Sequence, residues 1–148
     1  MAVECRGLAN QWLDWQTDSP CPFTGQEIKA FSGGQLQEFL NKLLEAAPLC
    51  VTKLEKLEEL YQLDRSSNVE IVYRWIRLGI KARWEKVVDA ALKLVTEVGR
   101  MKYVRPIYLD LYEWEEMRQR AIDTYNANKD RYSSIKHLEY LLPLSIGL

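Results

Sequence analysis

The chain has 148 residues, 47% apolar and 28% charged, a size and balance that suit one globular domain with a proper core. Lys and Arg number 20 against 21 Asp and Glu, a formal net charge of −1. That argues against wholesale binding to nucleic acid or to an anionic membrane, while leaving room for a local basic patch. Three widely spaced cysteines, Cys5, Cys21 and Cys50, form neither a CxxC pair nor a disulfide framework. There is no signal-peptide pattern, no apolar run long enough to span a membrane and no Asn-x-Ser/Thr sequon. A reducing, cytoplasmic setting is the expectation. Met1 and Ala2 lead straight into helix-like sequence, as in a chain that begins inside a larger protein.

Strand-type alternation is almost absent and amphipathic stretches are many. Helix one is expected over about Glu4–Trp15, with Leu8, Trp12 and Trp15 on one face, before the turn-rich Asp18-Ser19-Pro20-Cys21-Pro22. Thr24 and Glu27 form a capping-box pattern for a short helix reaching Phe31. Ser32 and Gln35 repeat it for a helix whose Leu36, Phe39, Leu40, Leu43 and Leu44 make an apolar stripe. After Pro48, Thr52 and Glu55 are expected to cap the next helix, with Leu54, Leu57, Leu60 and Tyr61 inward. Asn68 caps a helix over Val69–Ile80, striped by Val72, Tyr73 and Ile76. A longer one follows over about Arg83–Val98. Pro106 is expected to open a helix holding Ile107, Leu109 and Leu111. Another covers about Glu113–Asn128, and a last one Ser134–Leu142. About nine short helices joined by tight connections predict an all-α fold, a right-handed α-α superhelix of the armadillo or HEAT kind, with no exact internal repeat.

Nothing in the chain resembles a catalytic centre. His137 is the only histidine, with no second ligand at metal spacing, and the zinc-peptidase pattern H-E-x-x-H is absent. Gly33-Gly34 lies at a helix start and lacks the spacing of a phosphate loop. Arg74, Arg77, Lys81, Arg83 and Lys86, interleaved with Trp75 and Trp84, could face RNA or calmodulin. Gly79 interrupts that segment and its apolar residues already account for two packed helices, which favours an ordinary solvated face.

Three cations, Arg100, Lys102 and Arg105, fall within six residues. They lie between Gly99, read as the glycine that ends one helix, and Pro106, read as the first residue of the next. Two readings are open. Cations near a helix C-terminus offset its macrodipole, for about 0.3–1 kcal/mol, and the residues alone favour this. Alternatively, Arg100 and Lys102 converge on an anion, each charge-assisted hydrogen bond contributing roughly 1.5–3 kcal/mol. Arg would supply a planar fork and Lys a mobile point charge.

Five segments follow one another along the chain: Ser32-x-x-Gln35-Leu36-x-Glu38-Phe39-Leu40, Ala47-Pro48-Leu49, Glu70-Ile71-x-x-Arg74-Trp75-x-Arg77-Leu78, Gly99-Arg100-Met101-Lys102 and Arg105-Pro106. In this order they resemble the C-terminal domain of the leukotriene-A(4) hydrolase and aminopeptidase B family of zinc aminopeptidases. No single motif is specific; the ordered set is, it runs over nearly the whole chain, and Arg-Met-Lys favours the leukotriene-A(4) hydrolase branch. The resemblance implies that residues 1–148 are a single C-terminal helical domain of a larger zinc aminopeptidase, packed on the catalytic domain and closing one side of the substrate channel. It implies that Arg100 and Lys102 recognise the carboxylate of a peptide C-terminus or of a fatty-acid epoxide. The zinc, its ligands, the general base and the transition-state tyrosine belong to domains absent from this sequence. No chemistry and no cofactor is therefore expected of this chain alone. The expected partners are the catalytic domain and a peptide or fatty-acid carboxylate, with no nucleic acid and no membrane. The alternative is a stand-alone helical-repeat scaffold for protein partners; a calmodulin-binding segment over Arg74–Lys86 is a third reading.

Overall fold

The computed structural model describes residues 2–132, and every regular element among them is helical. Two compact units divide the chain after Ala82. The first holds α1 (Ala2–Asp14), α2 (Gly33–Glu45), α3 (Val51–Tyr61), a 3-10 turn over Leu63–Arg65, and α4 (Val69–Lys81). Helix α2 starts where its capping box requires. Ser32 Oγ accepts the Gln35 N–H at 3.1 Å, and the Gln35 side chain accepts the Ser32 N–H at 2.8 Å. It buries Phe39, Leu40 and Leu43, and packs against α1 and α4. Asn68 caps α4 through Oδ1, 2.9 Å from the Glu70 nitrogen. Helix α4 is enclosed on more than one face, because α2, α3 and the 3-10 turn all lie against it; Ile71, Trp75, Ile76, Leu78 and Ile80 are all buried.

Two expected caps turn out differently. Residues Thr24–Phe31 form no helix, only a turn over residues 27–30. Gly25 adopts φ +96°, outside the helical region, and a Cβ there would lie 2.9 Å from the Leu60 carbonyl oxygen. Glu27 still reaches back as in a capping box. Its carboxylate accepts from the Thr24 N–H and hydroxyl, both at 2.9 Å, and from the Gly25 N–H at 3.1 Å. Helix α3 is capped at Cys50, whose side chain makes no cap bond, and Thr52 lies inside the helix. Burial of Leu54, Leu57 and Tyr61, rather than a cap, makes this segment helical.

Trp12 of α1 ties this unit together. Its ring stacks on Phe23 at 4.0 Å and meets Tyr61 edge-on at 5.6 Å. Its Nε1 donates to the Tyr61 hydroxyl at 3.0 Å, and that hydroxyl donates to Glu27 at 2.7 Å. The relay joins α1, α3 and the 15–32 connection through one buried phenol. Burial alone would raise the Glu27 pKa, but four hydrogen bonds, those from the Thr24 N–H and Tyr61 foremost, outweigh it and bring the value from 4.5 to about 2. Burial and the bond to Glu27 push the Tyr61 phenol well above its ordinary value.

The second unit starts at Arg83, whose φ of +58° is left-handed; with Trp84 extended after it, the helix expected over about Arg83–Val98 does not begin there. A 3-10 turn over Glu85–Val87 leads instead into α5 (Val88–Glu97), followed by α6 (Met101–Glu113), α7 (Glu115–Asn128) and a 3-10 turn over Lys129–Arg131. Helices α5, α6 and α7 pack on one another through Val88, Ala91, Val95, Val104, Ile107 and Ile122. The all-α class expected from the sequence holds. Seven α-helices stand among the described residues against about nine expected. Residues Thr24–Phe31 account for one of the two, and the helix expected over Ser134–Leu142 lies outside the described residues.

The Glu27 relay makes a pH prediction. A carboxyl whose folded pKa lies below its unfolded one stabilises fully above the unfolded value, 4.5, and loses that contribution as pH falls toward 2. Tm followed downward from neutral pH should fall across that window, and Glu27→Gln should flatten the fall.

Candidate functional site

The helix carrying the three cations begins at Met101, not at Pro106. Arg100 is its N-cap residue, with extended backbone (φ −82°, ψ 125°), and its carbonyl accepts the N–H groups of Tyr103 and Val104, each at 3.1 Å. Pro106 sits inside the helix and has no N–H to give the Lys102 carbonyl. The helix tolerates it because Tyr103, Val104, Ile107, Tyr108 and Leu111 form one continuous buried face across it. Gly99 does not take a left-handed φ; among the described glycines only Gly25 does. Gly99 instead makes room for a neighbour: a Cβ at this position would lie 3.2 Å from the Arg131 carbonyl oxygen.

Arg100 and Lys102 meet across one aromatic ring. Arg100 Cζ lies 5.9 Å and Lys102 Nζ 5.4 Å from the Tyr103 centroid, both within cation–π range. The ring is buried, at 5% exposure, while both cations are exposed. Three consecutive side-chain roles therefore follow from the helix start: N-cap Arg100, Lys102 in the first turn, and Tyr103 between them. Tyr103 escapes a reading that starts the helix at Pro106; its place in the 3.6-residue apolar period with Ile107 is the signal that finds it. Arg105, three residues beyond Lys102, is half-buried, and its Nε is buried with no hydrogen-bond partner. Among the described residues, neither Arg100 nor Arg105 is in an ion pair.

A tyrosine relay braces the loop from behind. The Tyr132 hydroxyl donates to the Val95 carbonyl at 2.8 Å, so its 2.6 Å contact with the Tyr108 hydroxyl has Tyr108 as donor. Burial raises both phenols, and donation to Tyr132 raises Tyr108 further. Arg131 Nη1 reaches the Thr96 carbonyl at 3.4 Å. These bonds hold the 3-10 turn, and with it the Arg131 carbonyl, against Gly99. Tyr132→Phe strips Tyr108 and the Val95 carbonyl of their partner in a buried place. Urea denaturation should show a loss of about 1–3 kcal/mol.

The two tryptophans of the Arg74–Lys86 segment differ, Trp84 being half-buried. Trp75 is buried, and Arg74 is committed to Glu70 (2.6 Å) and Asn41 (2.7 Å). Arg77 stands over the Tyr73 ring, Lys86 over Trp84, and Arg83 over Trp114. His137 lies outside the described residues. No group of three or more His, Cys, Asp or Glu among the described residues could hold a metal ion. No helix among them is long and apolar enough to cross a membrane.

Comparison with known proteins gives one consistent result. The family model described as leukotriene A4 hydrolase, C-terminal, matches residues 31–138. Leukotriene A-4 hydrolase of Xenopus laevis is 38% identical over 129 residues, covering 87% of this chain and 21% of that protein. Leucine aminopeptidase 2 of Aspergillus clavatus is 36% identical over 129 residues, covering 86% of this chain and 20% of its own length. The structure of yeast LTA4 hydrolase in complex with bestatin superposes with a TM-score of 0.82 at 25% identity, over 93% of this chain and 25% of that one. This chain thus spans about a fifth of the length of the curated relatives it matches.

Proposed function

This chain belongs to the family of leukotriene A4 hydrolase C-terminal domains, and we propose that residues 1–148 are the helical accessory domain of a larger zinc aminopeptidase, in which Arg100 and Lys102 hold the substrate carboxylate. The observation that carries this reading is the helix end at which Lys102 stands. Cations near a helix C-terminus relieve its macrodipole, but Lys102 lies in the first turn of α6, where the helix end is itself positive. Offsetting a dipole does not account for a cation there. Binding an anion does: the two side chains and the helix end attract the same negative group.

In this reading the domain lines the substrate channel opposite the catalytic domain, its expected partner. The ligand is the C-terminal carboxylate of a short peptide or the carboxylate of a fatty-acid epoxide. Arg100 supplies the fork, Lys102 the point charge, and Tyr103 a fixed platform between them. Exclusion of water by the catalytic domain strengthens both contacts. Holding the far end of a peptide spends binding energy on orienting the distant scissile bond. Zinc, with the water-activating chemistry it supplies, is assigned in this reading to the catalytic domain. The proposed setting is cytoplasmic, in keeping with three free thiols.

In the enzyme that carries this domain, Arg100→Ala should lower kcat/KM for free-acid tripeptides about ten- to a hundredfold, the worth of one charge-assisted hydrogen bond. C-terminally amidated tripeptides should change far less. Equal losses on acid and amide would overturn the carboxylate role.

A further inference from the structure

We propose that Arg105 turns the carboxylate clamp into a two-anion site, selecting peptides whose last residue is Asp or Glu. The main-chain carboxylate would lie on Arg100 and Lys102, and the side-chain carboxylate on Arg105. The proposal rests on the assignment of Arg100 and Lys102 above and adds a substrate class to it.

Arg105 follows Lys102 by three residues on α6, so the two side chains share a helix face. That face lies away from the buried stripe of Val104, Ile107 and Leu111. Two cations side by side repel each other, and neighbouring helix side chains of like charge are destabilising. Yet Arg105 has no ion pair among the described residues, and its Nε is buried without a hydrogen-bond partner. The guanidinium is half-buried: Nε is enclosed, and a carboxylate would be met by the Nη groups at its open end. Arg suits this because its planar fork takes both oxygens of a carboxylate. The spacing suits one acidic residue. Side chains three apart on a helix have Cβ atoms about 5–6 Å from each other. That is of the order of the separation between the two carboxylates of a terminal Asp or Glu.

The test compares Ala-Ala-Glu with its neutral isostere Ala-Ala-Gln, in the enzyme carrying this domain. The unmodified enzyme should favour the Glu peptide about tenfold in kcat/KM, equivalent to about 1.4 kcal/mol, with the difference in KM rather than kcat. Arg105→Gln should bring the ratio to about one, and Arg105→Lys should keep part of it. Arg100→Ala should lower both peptides together and leave the ratio standing. Failure of the clamp itself would show separately, as equal losses on free acids and amides. A ratio near one in the unmodified enzyme would overturn the proposal without any variant, even if Arg105→Gln failed to fold. So would a ratio that Arg105→Gln leaves unchanged. An equal loss on both peptides in Arg105→Gln would overturn it too, marking Arg105 as a counter-ion for an acid of the catalytic domain.

Discussion

The close approach of the Arg131 carbonyl to Gly99 fixes where the cation-bearing helix begins. No side chain fits comfortably between them, since a Cβ would stand only 3.2 Å from that oxygen. With Gly99 held, Arg100 becomes the N-cap residue of α6, and its carbonyl closes the first turn onto Tyr103 and Val104. Lys102 and Tyr103 then fall on successive positions of that turn, and both cations come to one ring. A helix starting at Pro106 would have left Arg100, Lys102 and Arg105 strung along a loop with no defined relation to one another.

The two units solve the same problem in the same way. Each must fix a non-helical segment against packed helices, and each uses a buried phenol. In the first unit Tyr61 receives from Trp12 and gives to Glu27, which in turn gathers the Thr24 and Gly25 amides. In the second, Tyr132 receives from Tyr108 and gives to the Val95 carbonyl. A tyrosine suits this because its ring contributes apolar burial while its hydroxyl both donates and accepts. Satisfying every member of such a relay matters more than its net worth, since a buried polar atom left without a partner costs more than a hydrogen bond gains.

Cations are placed differently along the chain. Arg74 is committed to Glu70 and Asn41, and Lys53 gives its ammonium to the Leu13 carbonyl at the end of α1. At the start of α6, positive charge is set against a positive helix end, and Arg105 keeps an orphaned nitrogen.

The Ser32–Gln35 box, the Asn68 cap and the apolar stripes of α2 and α6 were legible because their partners lie within one or two turns of the chain. They suffice for an all-α fold, and the ordered motifs around them suffice for the family and for pointing at Arg100 and Lys102. The same local pattern at Thr24 and Glu27 misled, because Gly25 bends under the Leu60 carbonyl and Glu27 answers to Tyr61, 34 residues away. Pro106 and Gly99 misled for a related reason. Burial of Tyr103 and Val104 outweighs the hydrogen bond that Pro106 cannot make, and the neighbour that needs a glycine at 99 is Arg131. The sequence by itself determined the class, the helices and the family, since periodicity and caps are short-range. Only the tertiary structure decided where α6 starts, that Tyr103 joins the two cations, and that Arg105 has no counter-ion among the described residues. Each of these depends on which distant groups are buried together.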